Sequence, residues 1–241
     1  MMKSLSLKLL IFLLFLNCAK DSNMDQSSLE EDTPNTELPN DTNDPVDNLG
    51  YAPCENGMAG IYPCQGYDLL SRVTLEEFNS GSGNDNWGWT DPETGIEYVI
   101  NGLNDGVGFI SIEDPENPLF LGKLPTATNP SDWRDVKVYN NHAFIVSEAQ
   151  GHGLQVFDLT RLRGLTEAQS FTADVLLNDF GNAHNIAINE DTGFAYVVGS
   201  QLYNGGPVFI NINDPKNPSI VGGFEAASYT HDAQIVVYQG P

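Results

Sequence analysis

Short runs of alternating apolar and polar residues recur along the chain, separated by turns rich in Gly, Asn and Asp. The clearest runs, VKVY, IAIN and IVVY, belong to WRDVKVY from Trp133, AHNIAIN from Ala183 and THDAQIVVY from Thr230. Alternation with a period of two residues predicts half-buried β-strands. The sequences DPETG (91–95) and NEDTG (189–193) predict tight hairpin turns, because Gly accepts positive φ. The pattern therefore predicts an all-β protein.

The predicted strands belong to an internal repeat with a period of about fifty residues. DPENPLFLGKL from Asp114 and DPKNPSIVGGF from Asp214 are near copies of each other. Each unit has a leading strand, a second strand, a Gly-rich loop, a third strand and a polar turn, and NWGWTD from Asn86 fills the leading position in the first unit. Units of this length with short strands predict a β-propeller, and a stacked solenoid or a sandwich is the rival architecture.

The number of repeats is small for a closed propeller. The segment 51–241 holds three full units, and the last predicted strand, within 230–238, begins a fourth. Closure takes about four to eight blades, and an open sheet edge is a liability. We therefore expect a partial propeller of about three to four blades whose sequence normally continues.

Residues 1–18 predict an export signal. Two Lys residues precede an apolar run from Leu9 to Leu16, which is too short to span a bilayer. Cys18 follows directly, as in bacterial lipoprotein signals, where the cysteine is lipidated and becomes the mature N-terminus. Asn17 departs from that pattern, which has Gly, Ala or Ser there. A cleaved signal peptide without lipid, or an uncleaved anchor, therefore stays open.

Charge and composition separate residues 19–50 from the remainder. This segment is acidic and Pro-containing, with almost no large apolar residues, which predicts a disordered tether. The whole chain carries 33 acidic and 10 basic residues, a formal net charge of −23. Nucleic-acid binding is disfavoured, because phosphate contacts need a basic surface.

Cys54 and Cys64 are the cysteines that remain beyond the signal. An even pair in an exported chain predicts a disulfide. A metal site at these cysteines is disfavoured, because the segment between them offers only Glu55 as a further ligand.

Four long motifs resemble the choice-of-anchor B family of exported bacterial proteins, which are built from LVIVD repeats. They are PCQGYDLLSRVTLEEF, SDWRDVKVYNNHAFIVSEAQGHGLQVFDLTRLRG, AHNIAINEDTGFAYVVGS and YTHDAQIVVYQGP, and the resemblance covers about residues 52–241. It implies a secreted or surface-attached β-propeller, anchored here by lipid on Cys18, and it implies no activity. The acidic position of the repeat is Asp158 in one unit but Ser111 and Asn211 in the others.

The repeat register brings polar residues to equivalent positions at the start of each leading strand. Arg134, His184 and His231 coincide, and we expect them to converge on a central channel as a ligand-binding site. The next positions hold Asp135, Asn185 and Asp232. His184 and His231 with a carboxylate are a candidate site for Zn²⁺ or another divalent metal, and Arg134 for clamping an anion. The alternative is structural: these side chains would form hydrogen bonds between blades.

Other candidate residues give weaker signals. The loop SEAQGHG places Glu148 and His152 four residues apart on a candidate binding face. The three Trp residues are expected to pack between blades, with stacking on a sugar as the alternative. There is no phosphate loop, dinucleotide fingerprint or nucleophile elbow.

Together these features favour a non-enzymatic, lipid-anchored propeller of the bacterial cell envelope, at the outer membrane or cell surface. It would bind a surface protein or a glycan. Two alternatives stay open: a metal-assisted hydrolase at the channel mouth, using His184 and His231, and an envelope scaffold without a ligand.

Overall fold

Short strands and tight turns supply nearly all of the regular structure, as the alternating pattern predicts. A computed structural model describes residues 50–225 and 228–240. The predicted signal peptide, Cys18 and the tether up to residue 49 lie outside the described residues. The strands are β1 (Met58–Ala59), β2 (Tyr62–Pro63), β3 (Gly83–Thr90), β4 (Glu97–Leu103), β5 (Gly106–Ser111), β6 (Leu119–Pro125), β7 (Arg134–Tyr139), β8 (His142–Ser147), β9 (Leu154–Asp158), β10 (Gln169–Ser170), β11 (Val175–Leu177), β12 (Asn185–Asn189), β13 (Phe194–Val198), β14 (Val208–Asn211) and β15 (Ser219–Gly223).

Helix is almost absent from the described part of the chain. Short 3₁₀ helices occur at Leu159–Leu162 and Tyr203–Gly205. Within residues 50–225 and 228–240, no helix has the length and apolar character needed to cross a membrane. The prediction of an all-β protein is therefore confirmed.

Three of the four sheets correspond to the three repeats. Their strand orders are β10-β6-β5-β4-β3, β11-β9-β8-β7 and β12-β13-β14-β15, and β1-β2 forms a small fourth sheet. Among the described residues, none of these sheets closes on itself. The leading strands lie side by side, β3 next to β7 and β7 next to β12. The three leading strands predicted from Asn86, Trp133 and Ala183 are therefore confirmed.

Local geometry repeats with the sequence. The side chains of Asp114 and Asp214 each accept hydrogen bonds from the backbone two residues later and from the Asn side chain three residues later. The two strands that flank each of these turns also shift register at equivalent points, after Phe109 in β5 and after Phe209 in β14. Near-identical sequences thus build near-identical turns and β-bulges.

Two apolar layers hold neighbouring sheets together. Phe109 of the first sheet stacks on Phe157 of the second, with ring centroids 4.6 Å apart. Phe144 and Val156, on the other face of the second sheet, belong to a cluster that includes Val197 of the third. The middle sheet is therefore buried on both faces, which explains why its strands are nearly continuous apolar runs.

The connection between the second and third repeats joins two sheets in a way that the sequence did not predict. We name the pairing of β10 with β6 the clasp. After β9 the chain crosses to the first sheet, where β10 pairs in parallel with β6, and then returns as β11, the outer strand of the second sheet. The Pro-containing turn from Asp114 therefore precedes a strand that is not outermost. The turn from Asp214 does precede an edge strand, β15.

The strand predicted in THDAQIVVY is wrong, because residues 230–238 are described and form no strand. The segment nevertheless follows β12: the Asn185 side chain donates to the His231 carbonyl at 2.9 Å, and Val237 shares a shallow depression with Asn189. An extended segment becomes a strand only when a backbone ladder forms, and the hydrogen bond described between this segment and β12 joins the Asn185 side chain to the His231 carbonyl.

The predicted disulfide is confirmed. Cys54 and Cys64 are bonded, with their Cα atoms 5.8 Å apart. The loop that they close carries β1 and β2. Disulfides persist in oxidising compartments, so this bond is typical of a protein outside the cytosol.

Candidate functional site

Arg134 does not join the two histidines, so the predicted three-residue site is wrong in this respect. Its side chain is buried, with 1% exposed. The guanidinium donates to the Leu103 carbonyl at 2.9 Å and to the Thr126 hydroxyl at 3.0 Å, and lies 2.8 Å from Nε2 of His152. Arg134 and His184 are equivalent in the repeat, but His184 contacts Glu148 and His231 instead, so the two side chains point to different surroundings. A group satisfied in this way is not available to clamp an anion.

His152 is the buried partner of Arg134 and not a member of an exposed loop face with Glu148. Nδ1 of His152 lies 3.0 Å from the Gly153 carbonyl, which assigns the ring proton to Nδ1 and leaves Nε2 to accept from Arg134. Burial lowers the pKa of His152 to about 4. Burial likewise lowers the pKa of Arg134, to about 10. The prediction that His152 lies with Glu148 on an exposed loop face is therefore wrong, because His152 is fully buried.

Glu148 instead contacts His184, which in turn contacts His231. Oε1 of Glu148 lies 2.6 Å from Nδ1 of His184. The rings of His184 and His231 have centroids 4.1 Å apart and are tilted by 53°. The two histidines that the repeat register aligns therefore lie side by side.

Two large aromatic side chains complete the cluster around His184. The ring centroid of Trp133 lies 6.1 Å from that of His184, and that of Tyr229 lies 6.4 Å from it. Trp133 is 54% exposed and Tyr229 is 53% exposed. We name Trp133, His184, Tyr229 and His231, together with Glu148, the aromatic face.

The aromatic face is assembled from segments at one end of the leading strands. Trp133 immediately precedes β7, Glu148 immediately follows β8, and His184 immediately precedes β12. The Trp133 carbonyl accepts from the Ser147 hydroxyl at 2.9 Å and from the Glu148 backbone N–H at 3.2 Å. These bonds join the backbone positions from which the aromatic ring of Trp133 and the carboxylate of Glu148 project.

Two glycines admit Tyr229 to the cluster. A Cβ atom at Gly199, where φ is +65°, would lie 2.7 Å from Cβ of His184 and 2.8 Å from the Tyr229 hydroxyl oxygen. A Cβ atom at Gly205 would lie 3.0 Å from Cα of Tyr229. The Thr230 N–H also donates to the Gly205 carbonyl at 3.0 Å, which ties the segment in place.

Asp135 and Asn185 follow the structural alternative, because they bridge neighbouring leading strands. The Ile186 backbone N–H donates to Oδ2 of Asp135 at 2.8 Å, across 51 residues of sequence. The Asn185 side chain donates to the His231 carbonyl across 46 residues. In the same way the Arg134 backbone N–H donates to Asn84, across 50 residues. These bonds connect consecutive repeats.

Asp232 is not part of the aromatic face, although the sequence predicts it beside His231 in one binding site. Its Oδ1 accepts from the Ala233 backbone N–H at 2.7 Å, which is a local turn contact. The predicted set therefore separates: His184 and His231 belong to the aromatic face, Arg134 and Asp135 belong to the framework, and Asp232 makes a local turn contact.

Asp135 also belongs to a polar cluster with Lys137 and Asp85 that the sequence did not predict. It forms an ion pair with Lys137, whose ammonium group lies 4.5 Å from the centroid of the Trp87 ring. Burial and a hydrogen bond shared with Asp85 raise the pKa of Asp135 to about 6. One shared proton relieves the repulsion between the two carboxylates.

The described residues offer little for a metal ion. Across residues 50–225 and 228–240, no group of three or more His, Cys, Asp or Glu side chains is arranged to hold one. His184 and His231 face each other as tilted rings. Trp89 packs between neighbouring sheets as predicted: its side chain is buried, and its Nε1–H donates to Oδ1 of Asn141 in the second repeat at 3.2 Å.

Tyr229 and the contact between Glu148 and His184 were not predicted from the sequence. Tyr229 precedes the last leading segment by one position and lies outside the repeat pattern. The repeat register did contain part of the signal, because it aligns the ends of β7 and β12, where Trp133 and His184 lie.

No protein-family model matches the chain, and no curated protein matches it.

Proposed function

We propose that the protein is an exported, surface-attached binding module of the β-propeller class, with the aromatic face as its recognition surface. The neighbouring leading strands, the bridges across about fifty residues and the disulfide support this proposal. In this proposal, the architecture is the β-propeller that the choice-of-anchor B resemblance implies, and a lipid on Cys18 attaches the protein to the membrane. The acidic tether then separates the module from the membrane.

The observation that carries the proposal is the exposure of Trp133 and Tyr229 in one cluster. Two large aromatic residues, each more than half exposed, lie in a cluster with a partly exposed carboxylate, and hydrogen bonds hold the backbone segments that carry them. Binding surfaces are enriched in such aromatic anchors, and they keep their geometry when the supporting loops are fixed. A surface protein and a glycan both fit this description.

A capture experiment with cell-envelope extract tests the proposal. Full-length protein is compared with the double variant W133A/Y229A and with W87A, which removes a tryptophan that is 42% exposed on β3. We expect wild type and W87A to retain the same component, identified by mass spectrometry or glycan analysis, and the double variant to lose it. Equal retention by all three proteins contradicts the recognition surface.

The attachment is tested separately. We expect full-length protein to fractionate with membranes and the C18S variant to be released from them, because the thiol that would carry the lipid is missing. A C18S variant that stays membrane-bound contradicts lipidation.

A further inference from the structure

We infer that the ligand of the aromatic face is an uncharged oligosaccharide. The inference rests on the proposed function, because it names the ligand class for that same surface. Three features carry it: the arrangement of the rings, the position of the carboxylate and the direction taken by Arg134.

The two largest rings of the cluster are exposed, and the ring contacts converge on His184. His184 is the common neighbour of Trp133, Tyr229 and His231, so the contacts group the rings around an imidazole. A small quaternary ammonium ion needs aromatic rings around an empty centre. A ligand reaches this cluster over the exposed rings of Trp133 and Tyr229, which both neighbour His184. Two exposed aromatic rings in one cluster suit the apolar faces of successive pyranose rings.

The carboxylate supplies the polar contact that a sugar requires. Glu148 has about a third of its side chain exposed while its Oε1 contacts His184. Carboxylate oxygens accept hydrogen bonds from hydroxyl groups and donate none. A sugar presents an apolar C–H face to an aromatic ring and hydroxyl donors at its rim, so one ligand satisfies both parts of the surface.

Charge excludes anionic ligands. Arg134, the cation nearest in sequence to Trp133, is buried and satisfied by Leu103, Thr126 and His152. The aromatic face therefore contains the carboxylate of Glu148 and no Lys or Arg side chain, and the chain as a whole carries a net charge of −23. Sulfated sugars and uronic acids would meet repulsion without a compensating cation.

The test is calorimetric titration of full-length protein, kept in a detergent without sugar groups. The probes are neutral hexasaccharides of glucose, xylose, mannose and N-acetylglucosamine, and two anionic probes, an oligogalacturonate and a heparin hexasaccharide. We expect at least one neutral probe to bind and both anionic probes to fail. W133A and Y229A should each weaken binding at least about tenfold, as expected for central aromatic anchors. The matched control W87A should change it less than about twofold.

The outcomes separate this inference from the proposed function. If only anionic probes bind and W133A abolishes the binding, the recognition surface stands and the ligand class is overturned. If no probe binds while W133A/Y229A still loses the captured component, the inference is again overturned alone. If neither binding nor capture depends on Trp133 and Tyr229, both fall.

Discussion

At the scale of single residues, two buried titratable groups set the fold's response to pH in opposite directions. Asp135 has its pKa raised from 3.8 to about 6, chiefly by burial. The folded state therefore holds a proton between those pH values that the unfolded state has lost, and stability falls as the pH rises through this window. His152 has its pKa lowered from 6.5 to about 4, chiefly by burial. Its unfolded state binds the proton first, so stability rises with pH from about 4 to 6.5.

Removing either group should expose the effect of the other. As the pH rises from 4 to 6, the free energy of unfolding of D135N should increase by about 2 kcal/mol relative to that of wild type. The reason is that the variant lacks the contribution of Asp135, which decreases over this range. H152Q, whose side-chain oxygen still accepts from Arg134, should show the opposite slope relative to wild type. Urea unfolding at several pH values measures both. Parallel pH profiles for wild type, D135N and H152Q would contradict these assignments.

At the scale of elements, the clasp made by β10 depends on one glycine. Gly122 has φ of +124°, and a Cβ atom there would lie 1.9 Å from the Gln169 carbonyl oxygen. G122A should break the β10–β6 pairing and open the 163–174 segment to proteolysis, with a loss of roughly 2–3 kcal/mol in the free energy of unfolding.

Gly95 provides the matched control for this variant. It also has positive φ, +74°, but a Cβ atom there would meet nothing within 4 Å. G95A should therefore cost only backbone strain, about 1 kcal/mol, and leave the protease sites closed. Equal proteolysis of G122A and G95A would show that the close approach to Gln169 does not hold the clasp.

The elements also show where sequence reasoning succeeded. VKVY and IAIN alternate over enough residues to identify β7 and β12. β10 has two residues and no period of its own, so its pairing depends on a close approach that only coordinates reveal. IVVY alternates equally well, yet alternation describes which face is apolar and not whether a neighbour supplies a backbone ladder. The alternation in residues 230–238 therefore predicts a strand that the structure does not contain.

At the scale of the whole molecule, residues at equivalent positions of the repeat differ in burial. Phe109 and Phe209 fall in register in the repeat, and each lies at a register shift. Phe109 is fully buried against the second sheet. Phe209 is half-buried and lines an open depression with Tyr196 and Val221 on the outer face of the third sheet.

Truncating these two phenylalanines compares the faces directly. F109A should lower the free energy of unfolding by about 3–5 kcal/mol, because it leaves a cavity between two sheets. F209A should cost less than about half of that, because solvent already reaches the ring. Equal losses in urea unfolding would mean that the outer face of the third sheet is covered in solution.

The candidate site was only partly predictable for a reason that acts at this same scale. The repeat aligned Arg134 with His184 in sequence, and it correctly brought His184 beside His231. It could not show that Arg134 turns into the core toward His152, because the direction of a side chain at the start of a strand depends on local pairing. Nor could it show the partnership of Glu148 with His184, which joins a loop of one repeat to the leading strand of the next.

The backbone amide of Ile186 offers the most direct test that consecutive repeats stand side by side. Its N–H donates to Asp135, one repeat earlier in the chain. In an NMR pH titration, the Ile186 amide shift of wild-type protein should follow a transition with a midpoint near 6, the pKa of Asp135, and should be flat in D135N. A folded wild-type protein whose Ile186 amide shift does not change between pH 4 and 8 would contradict the arrangement.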